Sequence, residues 1–149
     1  MSIHDLSTLF DFLPIGAYRS DAAGKVVRLN AALARLNGFA NEAECLAYPH
    51  TLGADSYVQP SRRQQFRDIL ETQGQVTDFV SETYRLKTGE RFWMREHAHL
   101  VRDAQGNTLY IDGTIEDITR ERAATLSLQT SENLLRSLLE TIPDPIHPS

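Results

Sequence analysis

The sequence predicts an α+β fold: an antiparallel sheet of about five strands with helices on one face, a leading N-terminal helix and a trailing C-terminal helix. Three observations predict it. Two short strand patterns, "GAYRS" and "KVVRLN", flank the turn signal "DAAGK". Helical spacing then takes over as far as Gly74. Beyond it the period drops to two over 76–86, 91–102 and 108–118, with "KTGE" and "DAQGN" as turns between the runs. Hairpin, helices, then a three-stranded meander is an α+β order, and 149 residues with 41% hydrophobic content suffice for one ordinary core.

Each element has its own warrant. Ile3, Leu6, Leu9, Phe10 and Leu13 recur at helical spacing until Pro14 stops them, so 3–13 reads as an amphipathic helix. Asn30 is suited to cap a helix over 31–37 that Gly38 closes. A second short helix is expected over 41–47, followed by the turn-rich loop "YPHTLGADSYVQP". Ser61 opens "SRRQQFRDILETQG", with Phe66, Ile69 and Leu70 on one face and Gly74 as its stop.

The stretch "DGTIEDITRERAATL", 112–126, starts as a strand and ends as a helix with no glycine or proline at the change. Asp117 and Thr119 are good helix starters, and the acids at 116, 117 and 121 suit the positive end of the helix dipole. Arg120 and Arg122 could pair with Glu116 or another strand acid. A joint without a flexible residue would transmit a shift of the sheet as a shift of the helix, with Asp117, Thr119 and Arg120 as the relay. Along the helix Ile118, Leu128, Leu135 and Ile142 form a stripe that Leu134, Leu138 and Leu139 thicken. Two readings stand: a two-chain coiled coil, or one helix packed on its own domain.

Bulk properties exclude several classes. The net charge is −5 with no basic run, which argues against nucleic acid and anionic membrane as partners. Apolar stretches are too short to span a bilayer, and "MSIHDLSTLF" has an acid where a signal peptide needs a basic flank. The single cysteine, Cys45, cannot form an internal disulfide, so a reducing cytoplasm is expected.

Three segments in order, "LPIGAYRSDAAGKVVRLNAALARLNGF", "YRLKTGERFW" and "GTIEDITRERAA", resemble the PAS sensor domains of bacterial signalling proteins over about residues 9–122. The last is similar to the Asp-Ile-Thr signature that closes such domains and starts their output helix. The resemblance implies a PAS fold, a small-molecule cavity between sheet and helices, and no catalysis by the domain itself. A flavin-binding light sensor of that family would need a reactive cysteine in an Asn-Cys-Arg-type motif, whereas Cys45 stands in "EAECLAY". A haem sensor would carry a histidine on helix 61–73, which has none, although His50 lies upstream. The cofactor is left open, with flavin and haem disfavoured.

"LFDFLPIG" at 9–16 and "LLETIPDPI" at 138–146 share a pattern, so the tail reads as the start of a second copy of the unit. The expected organisation is an N-terminal helix over 1–13, a sensor domain over 14–119, a signalling helix over 120–141 and a truncated repeat over 142–149. The partners this implies are a second chain in a homodimer, a small molecule, an adjacent copy of the domain, and an output domain of the histidine kinase or diguanylate cyclase type.

Strand alternation supplies the candidate site. On 91–102, Phe92, Met94, Glu96, Ala98 and Leu100 share one face, and Trp93, Arg95, His97, His99 and Val101 the other. On 76–86, Val80, Glu82, Tyr84 and Leu86 share a face. Pairing Leu86 with Phe92 would set Glu82 opposite Glu96, two carboxylates that would share a proton or bind a cation or amine. A one-residue change of register would instead turn one of them to solvent. The candidate ligand residues are thus Glu82, Tyr84, Met94 and Glu96. His97 and His99 form an H-x-H pair with no evident third ligand, so no metal site is assigned and solvated surface histidines are preferred. Trp93, with Phe79 and Tyr110 nearby by parity, makes an exposed aromatic stripe that the helix carrying Leu6 and Phe10 would cover, in this chain or a neighbour. With Leu128 and Leu135, these form the expected dimer surface. Two rival readings are a dimerisation spacer that binds nothing, and a small acid–base or metal-dependent enzyme using Glu82, Glu96, His97 and His99.

Overall fold

A computed structural model describes residues 3–49, 51–53 and 55–141, with side chains from residue 7 onward. The order is α1 (Ile3–Phe12), β1 (Gly16–Asp21), β2 (Val26–Leu29), α2 (Ala31–Leu36), α3 (Glu42–Leu46), α4 (Ser61–Gln73), β3 (Gln75–Tyr84), β4 (Arg91–Arg102), β5 (Thr108–Asp117) and α5 (Thr119–Thr141). The strands form one antiparallel sheet in the order β2-β1-β5-β4-β3. The chain divides into two units, Met1–Ile118 and Thr119–Ser149.

The helix boundaries follow local chemistry. The Asn30 side chain accepts from the Leu33 N–H at 3.0 Å and caps α2. It does more than cap: its oxygen also accepts from Ala17 N–H, and its amide donates to the carbonyls of Phe10 and Ile15. One fully buried side chain thereby ties α1, β1 and α2, and satisfies its own polar groups in doing so. Asn41 caps α3, and Gly74 ends α4 in a left-handed conformation. At α4 the cap residue is Pro60 without a side-chain bond, and Ser61 is the first helical residue, since the proline's fixed φ already sets the helical turn.

The inner face of the sheet packs against the helices. Leu29, Leu33, Phe66, Leu70, Phe79, Phe92, Met94 and Ile111 belong to the buried core, with Phe66 and Phe79 tilted at 5.5 Å. The parity expected for β3 is wrong after Val76. Asp78 sits at φ 52°, and the ladder to β4 slips between Val76 and Phe79. This bulge opposes extra residues to β4, so Phe79, Ser81 and Thr83 face the core in place of Val80, Glu82 and Tyr84. Phe92 therefore pairs with Thr83, not with Leu86, and Glu82 pairs with Trp93 on the outer face, 3.8 Å from the Arg91 guanidinium. Glu82 and Glu96 lie on opposite faces. Phe79, expected beside Trp93, is buried beneath the Arg62 guanidinium at 3.9 Å.

The second unit is the 23-residue helix α5, which has no buried residue. Leu126, Leu128, Leu134, Leu135, Leu138 and Leu139 are all exposed on it. No helix among the described residues is long and apolar enough to cross a membrane. The expected second repeat, 142–149 with Ile142, lies outside the described residues.

Candidate functional site

Between the sheet and the helices lies a cavity of about 60 Å³. Its apolar walls include Leu33, Phe66, Phe92, Met94, Ile111 and Ile115, and Glu96 is the acid among its lining residues.

Glu96 is 5% exposed, in the middle of β4 opposite Phe79 and Ile115. A buried carboxyl needs partners. Two phenols provide them: Tyr18 Oη donates to Oε2 at 2.6 Å and Tyr57 Oη donates to Oε1 at 3.2 Å. Burial pushes the Glu96 pKa up to about 7, and the two tyrosine bonds and the Arg63 charge pull against that rise. Both phenols are in turn pushed well up, by burial first and by the adjacent carboxylate second.

Local structure explains how the tyrosines arrive. Tyr18 stands on β1 opposite Gly113 of β5, one strand short of β4. A β-carbon at Gly113 would lie 2.5 Å from the Tyr18 ring, so only glycine lets the ring cross β5 to Glu96. Tyr57 comes from the loop before α4. That loop joins the end of β3 through Tyr84 N–H to the Ser56 carbonyl and Val58 N–H to the Glu82 carbonyl, which turns Tyr57 inward.

Of the residues expected to bind a ligand, Met94 and Glu96 line the cavity and Tyr84 borders it with its ring under Arg91, while Glu82 does not. Tyr18, Tyr57, Arg63 and Thr83 were not expected there. Gly113, an interior strand glycine, was the available signal for the first of them. Cys45 is buried away from these walls, and burial pushes its thiol up to about 11. No cysteine or histidine is among the described lining residues, and the volume is far below that of an ordinary drug-sized site, so the described residues offer neither a reactive cysteine for a flavin nor a histidine for a haem. His50 lies outside the described residues.

The outer face has a wider groove of about 700 Å³ between α1 and the sheet, bordered by Phe10, Arg19, Arg28, His97, His99 and Asp112 among others. Polar groups along it are held by neighbours: Arg19 bonds Asp112 twice, at 2.7 and 2.8 Å, and His97 Nδ1 accepts from Asp78 N–H. Trp93 and Tyr110 are not among its walls; the Tyr110 ring lies under Arg19 at 4.2 Å. The side chain of Leu6 lies outside the described residues. Among the described residues no cluster of three His, Cys, Asp or Glu could hold a metal ion.

At the end of the sheet, Ile118 N–H bonds the Trp93 carbonyl at 2.8 Å. Asp117 is held by Arg85 of the β3–β4 hairpin at 2.8 Å. The same guanidinium bonds Glu90 and the Leu36 carbonyl and lies 4.6 Å over the Phe92 ring. Arg120 is exposed in the first turn of α5.

Comparison with known proteins agrees with this architecture. Sensor protein FixL of Bradyrhizobium diazoefficiens is 42% identical over 52 residues, 35% of this chain and 10% of that protein. The match thus spans about a tenth of the relative's length. The PAS domain of a Colwellia psychrerythraea protein superposes with a TM-score of 0.65 at 17% identity, over 79% of this chain and 98% of the other. A sensory box histidine kinase/response regulator from Burkholderia thailandensis gives a TM-score of 0.61 at 17% identity, over 91% of this chain and 99% of the other. These two likenesses are of fold. The PAS-fold family model matches residues 4–118. By that match and by its sheet, helices and closing strand, this chain belongs to the PAS-fold family.

Proposed function

We propose that the chain is a non-catalytic sensory module of a larger bacterial signalling protein in the cytoplasm, reading a small molecule in its core and passing the state to an output domain through α5. The observation that carries this reading is the cavity itself. A carboxyl with two phenolic partners faces open volume between sheet and helices, an arrangement more costly than a filled apolar core and suited to recognition. The local match to FixL supports an output of the sensor-kinase kind.

The exposed leucines of α5 support a homodimer, because a stripe of that length needs a cover. Trp93, Tyr110 and the exposed Phe12 of α1 would add to that surface. The joint Asp117-Ile118-Thr119, braced by Arg85 on the sheet side, would act as the relay. A non-catalytic role is supported by the division of the titratable groups: Glu96 faces the core and His97 and His99 border the outer groove. The small cavity favours one second reading, a dimerisation spacer that binds nothing.

Native mass spectrometry of the purified protein separates the two. A dimer carrying a small molecule is expected. A dimer with an empty interior would favour the spacer and overturn the sensory reading.

A further inference from the structure

The polar groups around the cavity are lopsided. Glu96 already accepts from both tyrosines. Ser20, Asn37, Ser56 and Arg67 among the lining residues have bonds of their own, which leaves Thr83 and Arg63. The Thr83 hydroxyl is 1% exposed, lines the cavity, and has no hydrogen-bond partner among the described residues. An orphaned hydroxyl of that burial is costly unless a guest satisfies it. Arg63 and Arg67 of α4 both line the cavity and are half-buried. Arg67 donates to the Ala23 carbonyl, whereas no ion pair among the described residues involves Arg63. Its guanidinium lies between two loops: β-carbons at Gly24 and Gly53 would stand 2.9 and 2.6 Å from its nitrogens. Gly24 and Gly53 thus leave room at the rim for the guanidinium of Arg63, and Gly24 for that of Arg67 as well.

Resting on the sensory reading above, we propose that the cavity binds a small monocarboxylate anion of two or three carbons. Its carboxylate would take bonds from Arg63 and Thr83, its alkyl end would lie among Phe92, Met94 and Ile111, and it would bind only when Glu96 is protonated. Two carboxylates in so small a space cannot both stay ionised. Above about pH 7, where Glu96 would otherwise be ionised, each anion bound therefore draws up to one proton from solvent onto the pair, which then shares it. The other groups facing Glu96 do not replace that proton. Tyr18 from β1 and Tyr57 from the loop before α4 stay neutral, Thr83 from β3 and Ile115 from β5 carry no charge, and the charged side chains that line the cavity from α4 are the guanidinium groups of Arg63 and Arg67. A cation or amine guest, by contrast, would meet the two arginines.

Titration calorimetry of the intact chain with sodium propanoate, propanamide and ethylammonium chloride tests this. In two buffers of different ionisation enthalpy at pH 8, propanoate is expected to bind with net proton uptake. Its affinity should level off below about pH 7 and fall roughly tenfold per pH unit above. Glu96→Gln should bind propanoate at pH 8 as wild type does at pH 6. Arg63→Gln should lose binding, and Arg63→Lys should recover part of it. Propanamide binding as tightly as propanoate, or ethylammonium binding that strengthens with pH, would overturn the anion and leave a ligand cavity in place. If no probe binds while native mass spectrometry finds another class of molecule inside, the anion proposal alone fails. If no probe binds and the interior is empty, the sensory reading fails with it.

Discussion

The hydroxyl of Tyr18 reaches the carboxylate of Glu96 across an intervening strand, 2.6 Å from oxygen to oxygen, because residue 113 between them is glycine. Donor, gap and acceptor come from β1, β5 and β4 in turn, so the contact reports on the register of three strands at once.

Glu96 should make stability depend on pH in a definite direction. Its carboxyl keeps a proton up to about 7 in the folded chain, against an ordinary value of 4.5. The folded state therefore binds more protons between those values, so the contribution is full below about 4.5 and lost as pH rises through about 7. A shift of that size corresponds to at most roughly 3 kcal/mol. Glu96→Gln, which cannot ionise, should gain on wild type by up to that amount between pH 5 and 8 in urea denaturation. Parallel pH profiles for the two proteins would show that the carboxyl does not titrate in this range.

Gly113→Ala should be costly for a residue with no side chain of its own. The new methyl would meet the Tyr18 ring at 2.5 Å, forcing the ring or β5 to move. Overpacking of this kind costs about 1–3 kcal/mol. In a Tyr18→Ala background the added cost should largely vanish, since the obstructing ring is gone. Additive losses in that double-mutant cycle would place the strain elsewhere.

Arg85→Ala should loosen the end of the sheet. It removes the bond to Asp117, a bond to the Leu36 carbonyl and the stacking on Phe92, together about 1–3 kcal/mol for a half-buried arginine. Hydrogen exchange at Ile118 N–H, bonded to the Trp93 carbonyl, should accelerate. Asp117→Gly is expected to leave ligand affinity nearly intact while uncoupling output in the full-length protein. Unchanged exchange at Ile118 in Arg85→Ala would remove Arg85 from the joint.

Much of the architecture was legible because its signals are local. Asn30, Gly74 and the two turns of the meander act within a few residues of themselves, and each marks a boundary of the structure. The inward face of β4 was also readable, since β4 keeps strict alternation from Phe92 to Ala98. The site was only half legible. Met94 and Glu96 follow from that alternation, but Glu82 was misplaced because a bulge is invisible to a period-two count. Tyr57 and Arg63 were missed because their positions depend on a loop pairing with β3 and on α4 lying over the cavity, contacts between distant parts of the chain. Arg85 was missed for the same reason: its partners Leu36 and Asp117 lie 49 and 32 residues away.

The left-handed turn at Asp78 leaves β3 as two half-strands spliced out of phase. Val76 obeys one phase; Phe79, Ser81 and Thr83 obey the other. Were the ladder to run on from Val76 without the bulge, Val80, Glu82 and Tyr84 would take the interior and Thr83 would leave it, so a second acid would enter the chamber that Glu96 now occupies. The same amino acids thus hold two different receptors half a pleat apart, and the backbone of one aspartate chooses between them.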